Sequence, residues 1–220
     1  MPGKALIAGA TGLVGGHLLK LLEEDPEYNE IIVITRKPII TASQKVVQHS
    51  FNFDHLEEHK EKLKADDIFC CLGTTMKKAG SKQNFHKVDF TYVVNLATIA
   101  SENNSRSFNL VSAMGANKKS IFFYNEVKGE AEEALSSLKF KLINIARPSL
   151  IIGERIENRP FEKTFQLLAK YLAFIFSGPL KRYTPIEAGL IAKALLKAAK
   201  SKKEGVQIIK SDELISIAKS

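Results

Sequence analysis

The chain has 220 residues, 45% of them hydrophobic and 25% charged, enough apolar material for one large core and too much for a disordered chain. Its net charge of +8 comes from scattered lysines with no aromatic-interleaved basic segment, so a basic solvated surface is expected and no nucleic-acid partner. No secretory leader pattern opens the sequence, and no run of about 18 uncharged apolar residues predicts a membrane span. The two cysteines, Cys70 and Cys71, are adjacent in an apolar run and read as small core residues of a reduced protein, expected in the cytoplasm.

The first element is an apolar strand over Lys4-Ala5-Leu6-Ile7-Ala8. Gly9-Ala10-Thr11-Gly12-Leu13-Val14-Gly15-Gly16 follows, and 13–22 has helical spacing. Strand, glycine turn and helix form a phosphate site, because glycine lets the backbone turn tightly and the helix start offers amides and a positive dipole end. The Gly-x-x-Gly-x-x-Gly spacing is a relative of the dinucleotide fingerprint. It nominates Gly9, Thr11, Gly12, Leu13, Val14 and Gly15 as cofactor residues.

Glu24-Asp25-Pro26 ends the helical pattern, and Ile31-Ile32-Val33-Ile34-Thr35 is a second buried strand. In a dinucleotide-binding unit, an acid at this strand end selects NAD through the ribose hydroxyl. Here Arg36 and Lys37 stand in its place, and their charge suits the extra phosphate of NADP. A weaker strand over 45–49 precedes Asp54, which is placed to bond an adenine amino group. His55-Leu56-Glu57-Glu58-His59 matches a zinc-peptidase pattern, but its charged surroundings favour a solvated helix, and no metal is expected.

A strand over 66–72 ends at Gly73, a long helix is predicted over 85–103, and a strand over 107–112 ends at Ser112. A helix over 121–138 carries Tyr124 and Lys128, one turn apart on one face. An ammonium near a phenol favours the phenolate, and such a tyrosine exchanges a proton with a carbonyl or alcohol oxygen. A serine hydroxyl can hold the same oxygen. A strand over 140–145, a helix over 186–199, a late strand over 206–209 and a terminal helix over 211–218 complete the pattern. Apolar strands alternating with helices predict an α/β fold of Rossmann type, a doubly wound parallel sheet covered on both faces. Its ligands belong beyond the carboxyl ends of the strands. The whole chain is one such domain, with 153–185 read as a small C-terminal extension that covers the substrate pocket, plain core packing or an exposed partner surface being the alternatives for its apolar stretch 161–176.

These features resemble a short-chain dehydrogenase/reductase of the atypical or extended kind. Cys70-Cys71-Leu72-Gly73-Thr74-Thr75, Lys78-Ala79-Gly80-Ser81, the stretch from Phe108 to Ala116, Tyr124 through Glu130, and Arg147-Pro148 are similar to the Tat-interacting protein group of NADP-binding oxidoreductases. The resemblance covers nearly the whole chain, most strongly 66–160. It implies NADP(H) as cofactor and Ser112, Tyr124 and Lys128 as the catalytic set, with Lys128 also on the nicotinamide ribose. Leu72, Gly73 and Thr74 would line the cofactor, and Pro148 to Ile151, Leu150 among them, would flank the nicotinamide. The substrate expected is a small, mostly apolar carbonyl or alcohol compound. A bulky sugar nucleotide is the weaker expectation. The alternative is a redox-sensing regulator that binds NADPH and acts through a protein partner without turnover; a homodimer is also compatible. One departure stands out: where many such enzymes carry an asparagine, this chain has Asp89.

Overall fold

A computed structural model describes residues 3–153 and 183–220. Seven parallel strands form the main sheet in the order β3-β2-β1-β4-β5-β6-β9. The strands are β1 (Gly3–Ala8), β2 (Tyr28–Thr35), β3 (Val46–Ser50), β4 (Asp67–Cys70), β5 (Ser107–Val111), β6 (Leu142–Arg147) and β9 (Gly205–Lys210). Two short strands, β7 (Ile151–Ile152) and β8 (Ile186–Glu187), pair in parallel beside it. The order reverses between β1 and β4, which puts a switch point and its crevice at the carboxyl ends of these two strands.

Alternate side chains of the strands feed opposite faces. Ala5 and Ile7 of β1 and Ile31 and Val33 of β2 enter one core, packed by α1 (Leu13–Glu24), α6 (Ala188–Ala199) and α7 (Ser211–Lys219). Leu6, Ala8, Ile32 and Ile34 enter the other, together with Leu56 and Leu63 of a 3₁₀ segment (Phe53–Leu63), Leu96 of α4 (Tyr92–Glu102) and Leu135 of α5 (Phe123–Ser136). Both faces are therefore covered, and the strands read as continuous apolar runs for this reason. The late stretch 205–210 is an edge strand, and most of its residues remain exposed.

Three local expectations are revised. The helix predicted over 85–103 is interrupted: after a short α2 (Met76–Ala79), its first residues are the end of α3 (Lys82–His86), and a π-helical turn (Lys87–Thr91) separates these from α4. In the π turn the Tyr92 amide reaches back to the Lys87 carbonyl, which inserts an extra residue and rotates the face that follows. The helix predicted from 121 begins at Phe123, because the Phe122 amide is taken by the Ser120 hydroxyl at 3.1 Å, leaving Ile121 and Phe122 exposed before the first turn. The segment holding His55 and His59 is 3₁₀ with a kink at His55, so the two rings do not share one α-helical face. His59 stacks on Phe51 and His55 meets Glu58 at 2.8 Å. The expected extension over 153–185 lies, apart from its ends, outside the described residues.

Candidate active site

The crevice begins at the loop after β1. Gly9 has φ +87°, and a Cβ there would lie 2.5 Å from the Cys71 carbonyl oxygen. A Cβ at Gly15 would lie 2.1 Å from the Gly9 carbonyl oxygen, so α1 starts directly against its own loop. Only glycine permits either approach. Gly12 caps α1 without a side-chain hydrogen bond, and no acid occupies the first turn. The helix start is thus open to an anion, with Thr11 and Gly12 exposed and Val14 and Gly15 buried behind them. These residues fit the pyrophosphate of a dinucleotide. Leu13, at the start of α1, packs next to Gly153, where a Cβ would lie 3.3 Å from it.

Arg36 and Lys37 follow β2 at the same edge, both exposed. The Thr35 hydroxyl donates to the Lys37 carbonyl at 2.7 Å and fixes that turn. Asp54 is already engaged: Lys87 Nζ and the Tyr92 hydroxyl donate to its oxygens at 2.8 and 3.0 Å. The Lys87 hydrogen bond holds its carboxyl below the usual range. An adenine amino group would have to share Asp54 with both donors.

After β4 the chain passes through Leu72, Gly73 and Thr74, beside the other glycine loop. Here the structure joins distant residues. Asp89, in the π turn, is 1% exposed. Its Oδ2 accepts the Thr74 amide at 2.8 Å, and its Oδ1 lies 2.8 Å from Lys128 Nζ. Lys128 is itself 4% exposed. Burial works against its charge, but the Asp89 carboxylate, with Tyr124 close by, outweighs burial and holds the ammonium above lysine's ordinary pKa. Tyr124, one turn earlier on α5, is 41% exposed at the rim, its ring 5.7 Å from that of Phe85. A buried cation and an accessible phenol on one helix face suit proton exchange with a bound molecule.

Ser112 is buried just beyond β5, and its hydroxyl donates to Glu132. Glu132 lies one further turn along the face of Tyr124 and Lys128 and accepts two bonds from Arg147 Nε, at 3.0 and 3.1 Å, and a third from its Nη2. The sequence reading missed Glu132; its only signal is a carboxylate four residues after the lysine. Ser112 therefore has its proton committed inward, and its lone pairs are what it has left to offer. The chain after β6 is pinned in two places: Met114 donates its amide to the Pro148 carbonyl and Ile186 to that of Leu150, each at 2.9 Å. Leu150 itself remains exposed on this strap. A Cβ at Gly129 would lie 2.2 Å from the Lys118 amide nitrogen, so α5 rests on the 117–118 backbone directly beside Lys128.

The cysteines carry none of this chemistry. Burial pushes the Cys70 thiol up to about 11, and Cys71 is pushed up further by the same cause. Among the described residues no cluster of three His, Cys, Asp or Glu side chains could hold a metal ion. No helix among them is long and apolar enough to cross a membrane.

Residues 4–98 match the family model of the semialdehyde dehydrogenase NAD binding domain. The chain is 37% identical to the protein HTATIP2 of Rattus norvegicus over 160 residues, 71% of this chain and 66% of that protein. It is 35% identical to fmp52 of Aspergillus clavatus over 212 residues, 93% of this chain and 90% of that one. Among solved structures, MoeE5 in complex with UDP-glucose and NAD superposes with a TM-score of 0.71 over 98% of this chain and 81% of its own, at 13% identity, which is a likeness of fold. The expected cytoplasmic location is corrected by these relatives: fmp52 is named a mitochondrial protein in Aspergillus clavatus and in Candida albicans. Reduced buried thiols and the lack of a predicted span suit a mitochondrial compartment as well as the cytoplasm, so they never separated the two. With its Rossmann-type sheet and this coverage, the chain belongs to the HTATIP2 and FMP52 group of atypical short-chain dehydrogenase/reductases.

Proposed function

We propose that the protein is an NADP(H)-dependent oxidoreductase acting on a small, mostly apolar carbonyl or alcohol compound. The observation that carries this reading is the buried Lys128 ammonium directly beneath Gly73, with Tyr124 accessible one turn away, on the sheet edge that also carries the open start of α1. When bound, a nicotinamide supplies or accepts the hydride. The amides at the start of α1 bind the pyrophosphate, and Arg36 with Lys37 bind the phosphate that distinguishes NADP. Tyr124 gives its proton to the carbonyl oxygen in reduction and takes it back in oxidation. Lys128 supplies the positive field beside it and holds the nicotinamide ribose. Ser112, its proton held by Glu132, accepts a hydrogen bond from the hydroxyl of the alcohol form of the substrate. Exposed Phe122 and Leu150 supply apolar surface at the crevice for the substrate's body.

The test is NADPH consumption against a panel of apolar aldehydes and ketones, with nicotinamide fluorescence measuring binding. Tyr124→Phe is expected to lower turnover at least about 100-fold while leaving dinucleotide affinity within about twofold. Wild-type turnover in that variant would sink the role given to Tyr124.

A second reading keeps the cofactor and drops turnover. It is favoured by the commitment of the Ser112 proton to Glu132, which leaves the serine no hydrogen to give a carbonyl oxygen. Under it the chain is an NADPH-binding regulator that acts on a protein partner. It predicts NADPH binding, no turnover across the panel, and partner affinity that changes with NADPH.

A further inference from the structure

The residue that the structure brings into the site most unexpectedly is Asp89. Its helix is interrupted by the π turn Lys87–Thr91, and Asp89 is the middle residue of that turn. Such insertions cost regular hydrogen bonding and occur preferentially at functional sites. The turn leaves Asp89 buried while its sequence neighbour Phe90 and the flanking Lys87 stay partly exposed. Asp89 Oδ2 accepts the Thr74 amide, and Oδ1 meets Lys128 Nζ as a charge contact rather than an aligned hydrogen bond. Gly73 lies directly over the pair: a Cβ there would sit 3.5 Å from Asp89 Oδ1 and 3.8 Å from Lys128 Nζ. One carboxylate thus touches both the loop after β4 and the ammonium of α5, two elements far apart in sequence.

We propose that Asp89 is a positioning residue that locks the Lys128 ammonium to the Leu72–Thr74 loop, so that the loop and the Tyr124–Lys128 pair are held as one charged unit. The inference rests on the reading that Lys128 belongs to the site, and deepens it. A buried ammonium stripped of its counter-ion sheds its proton rather than stay charged. Four groups face it or share its helix face: Asp89 from the π turn, Tyr124 and Glu132 from α5, and Cys70 from β4. Glu132 is held by Arg147 and Ser112, and the buried Cys70 thiol is neutral. Asp89 is therefore the carboxylate that decides the charge of Lys128. An asparagine at 89 can still accept the Thr74 amide, so this substitution separates charge from geometry.

The experiment is an NMR pH titration of the lysine side-chain nitrogens in the full chain without any dinucleotide, the Lys128 signal being the one lost in Lys128→Met. In Asp89→Asn the ammonium is expected to lose its proton at least about tenfold more readily than in wild type, a midpoint at least one pH unit lower. A smaller shift overturns the proposal, since an aspartate that only packs would leave the titration of Lys128 in place. Should Asp89→Asn fail to fold, amide exchange at Thr74 in Lys128→Met decides. The locked unit predicts exchange at least about tenfold faster than in wild type, and unchanged protection overturns it. Neither measurement needs a cofactor, so failure here leaves the dinucleotide reading standing, and loss of NADPH binding leaves this one standing.

Discussion

The loop after β1 and the helix after β5 face the same crevice from the same sheet edge, but they are made of different material. The first is a backbone site. Gly9 and Gly15 remove side chains so that main chain can approach main chain, and its charge comes from amides at the start of α1. The second is a side-chain site. On α5, Tyr124, Lys128 and Glu132 occupy one face, and both buried charges are balanced from elsewhere, by Asp89 of the π turn and Arg147 of β6. A backbone site tolerates no added atom. A side-chain site tolerates atoms but no unbalanced charge.

The strongest way to break this contrast is Gly15→Val. Its Cβ meets fixed main chain at 2.1 Å, so the loop must move. Dinucleotide binding should fall at least about 100-fold in a fluorescence titration, with a loss of about 1–3 kcal/mol or more in denaturant unfolding. Near-normal binding would mean that the pyrophosphate sits elsewhere.

Glu132→Gln probes the other site at almost constant volume. Arg147 keeps its charge and loses its carboxylate, so a loss of about 2 kcal/mol in urea unfolding is expected. Dinucleotide affinity should change little. If stability is unaltered, the charge balance along α5 is not what holds that helix to β6.

Arg36→Ala tests whether a charged side chain adds selectivity to the backbone site. NADPH affinity should drop about tenfold while NADH affinity stays within about twofold. Equal losses for both would assign Arg36 no part in phosphate recognition.

The smallest effect concerns pH. The folded chain holds the Cys70 thiol near 11 against an ordinary value of 9.0, and raises Cys71 and Tyr28 by the same burial. Between about pH 9 and 11 the unfolded chain releases these protons and the native one keeps them, so stability falls as pH rises through that window. Denaturant midpoints across it, with and without Cys70→Ala, check the sign. At pH 8 the native thiols should resist alkylation that unfolded chain undergoes readily.

The two sites also differ in how far the residues alone reveal them. Glycine spacing between an apolar strand and a helix is a local pattern with a local cause, and Gly9, Gly12 and Gly15 stand where that pattern puts them. The parallel sheet was equally legible, because strands buried on both faces must be largely apolar, and Ala5–Ala8 of β1 and Ile31–Ile34 of β2 are, although β5 buries Ser107 and Asn109. Tyr124 and Lys128 were legible as a pair because four residues make one helical turn.

Their partners were not. Asp89 is separated from Lys128 by 39 positions and from Thr74 by 15, and it reaches both only because a π turn rotates it inward. Periodicity predicted one unbroken helix there and could not see the turn. Glu132 looked like one more acid on a charged helix, until Arg147 and Ser112 closed on it from β6 and β5. The chain alone revealed the strands, the glycine loop and the spacing of the phenol and ammonium, since each follows from a pattern among residues close in sequence. Which charges neutralise one another emerges only on folding, because that depends on which strand ends are neighbours in a sheet whose order is not the order of the chain.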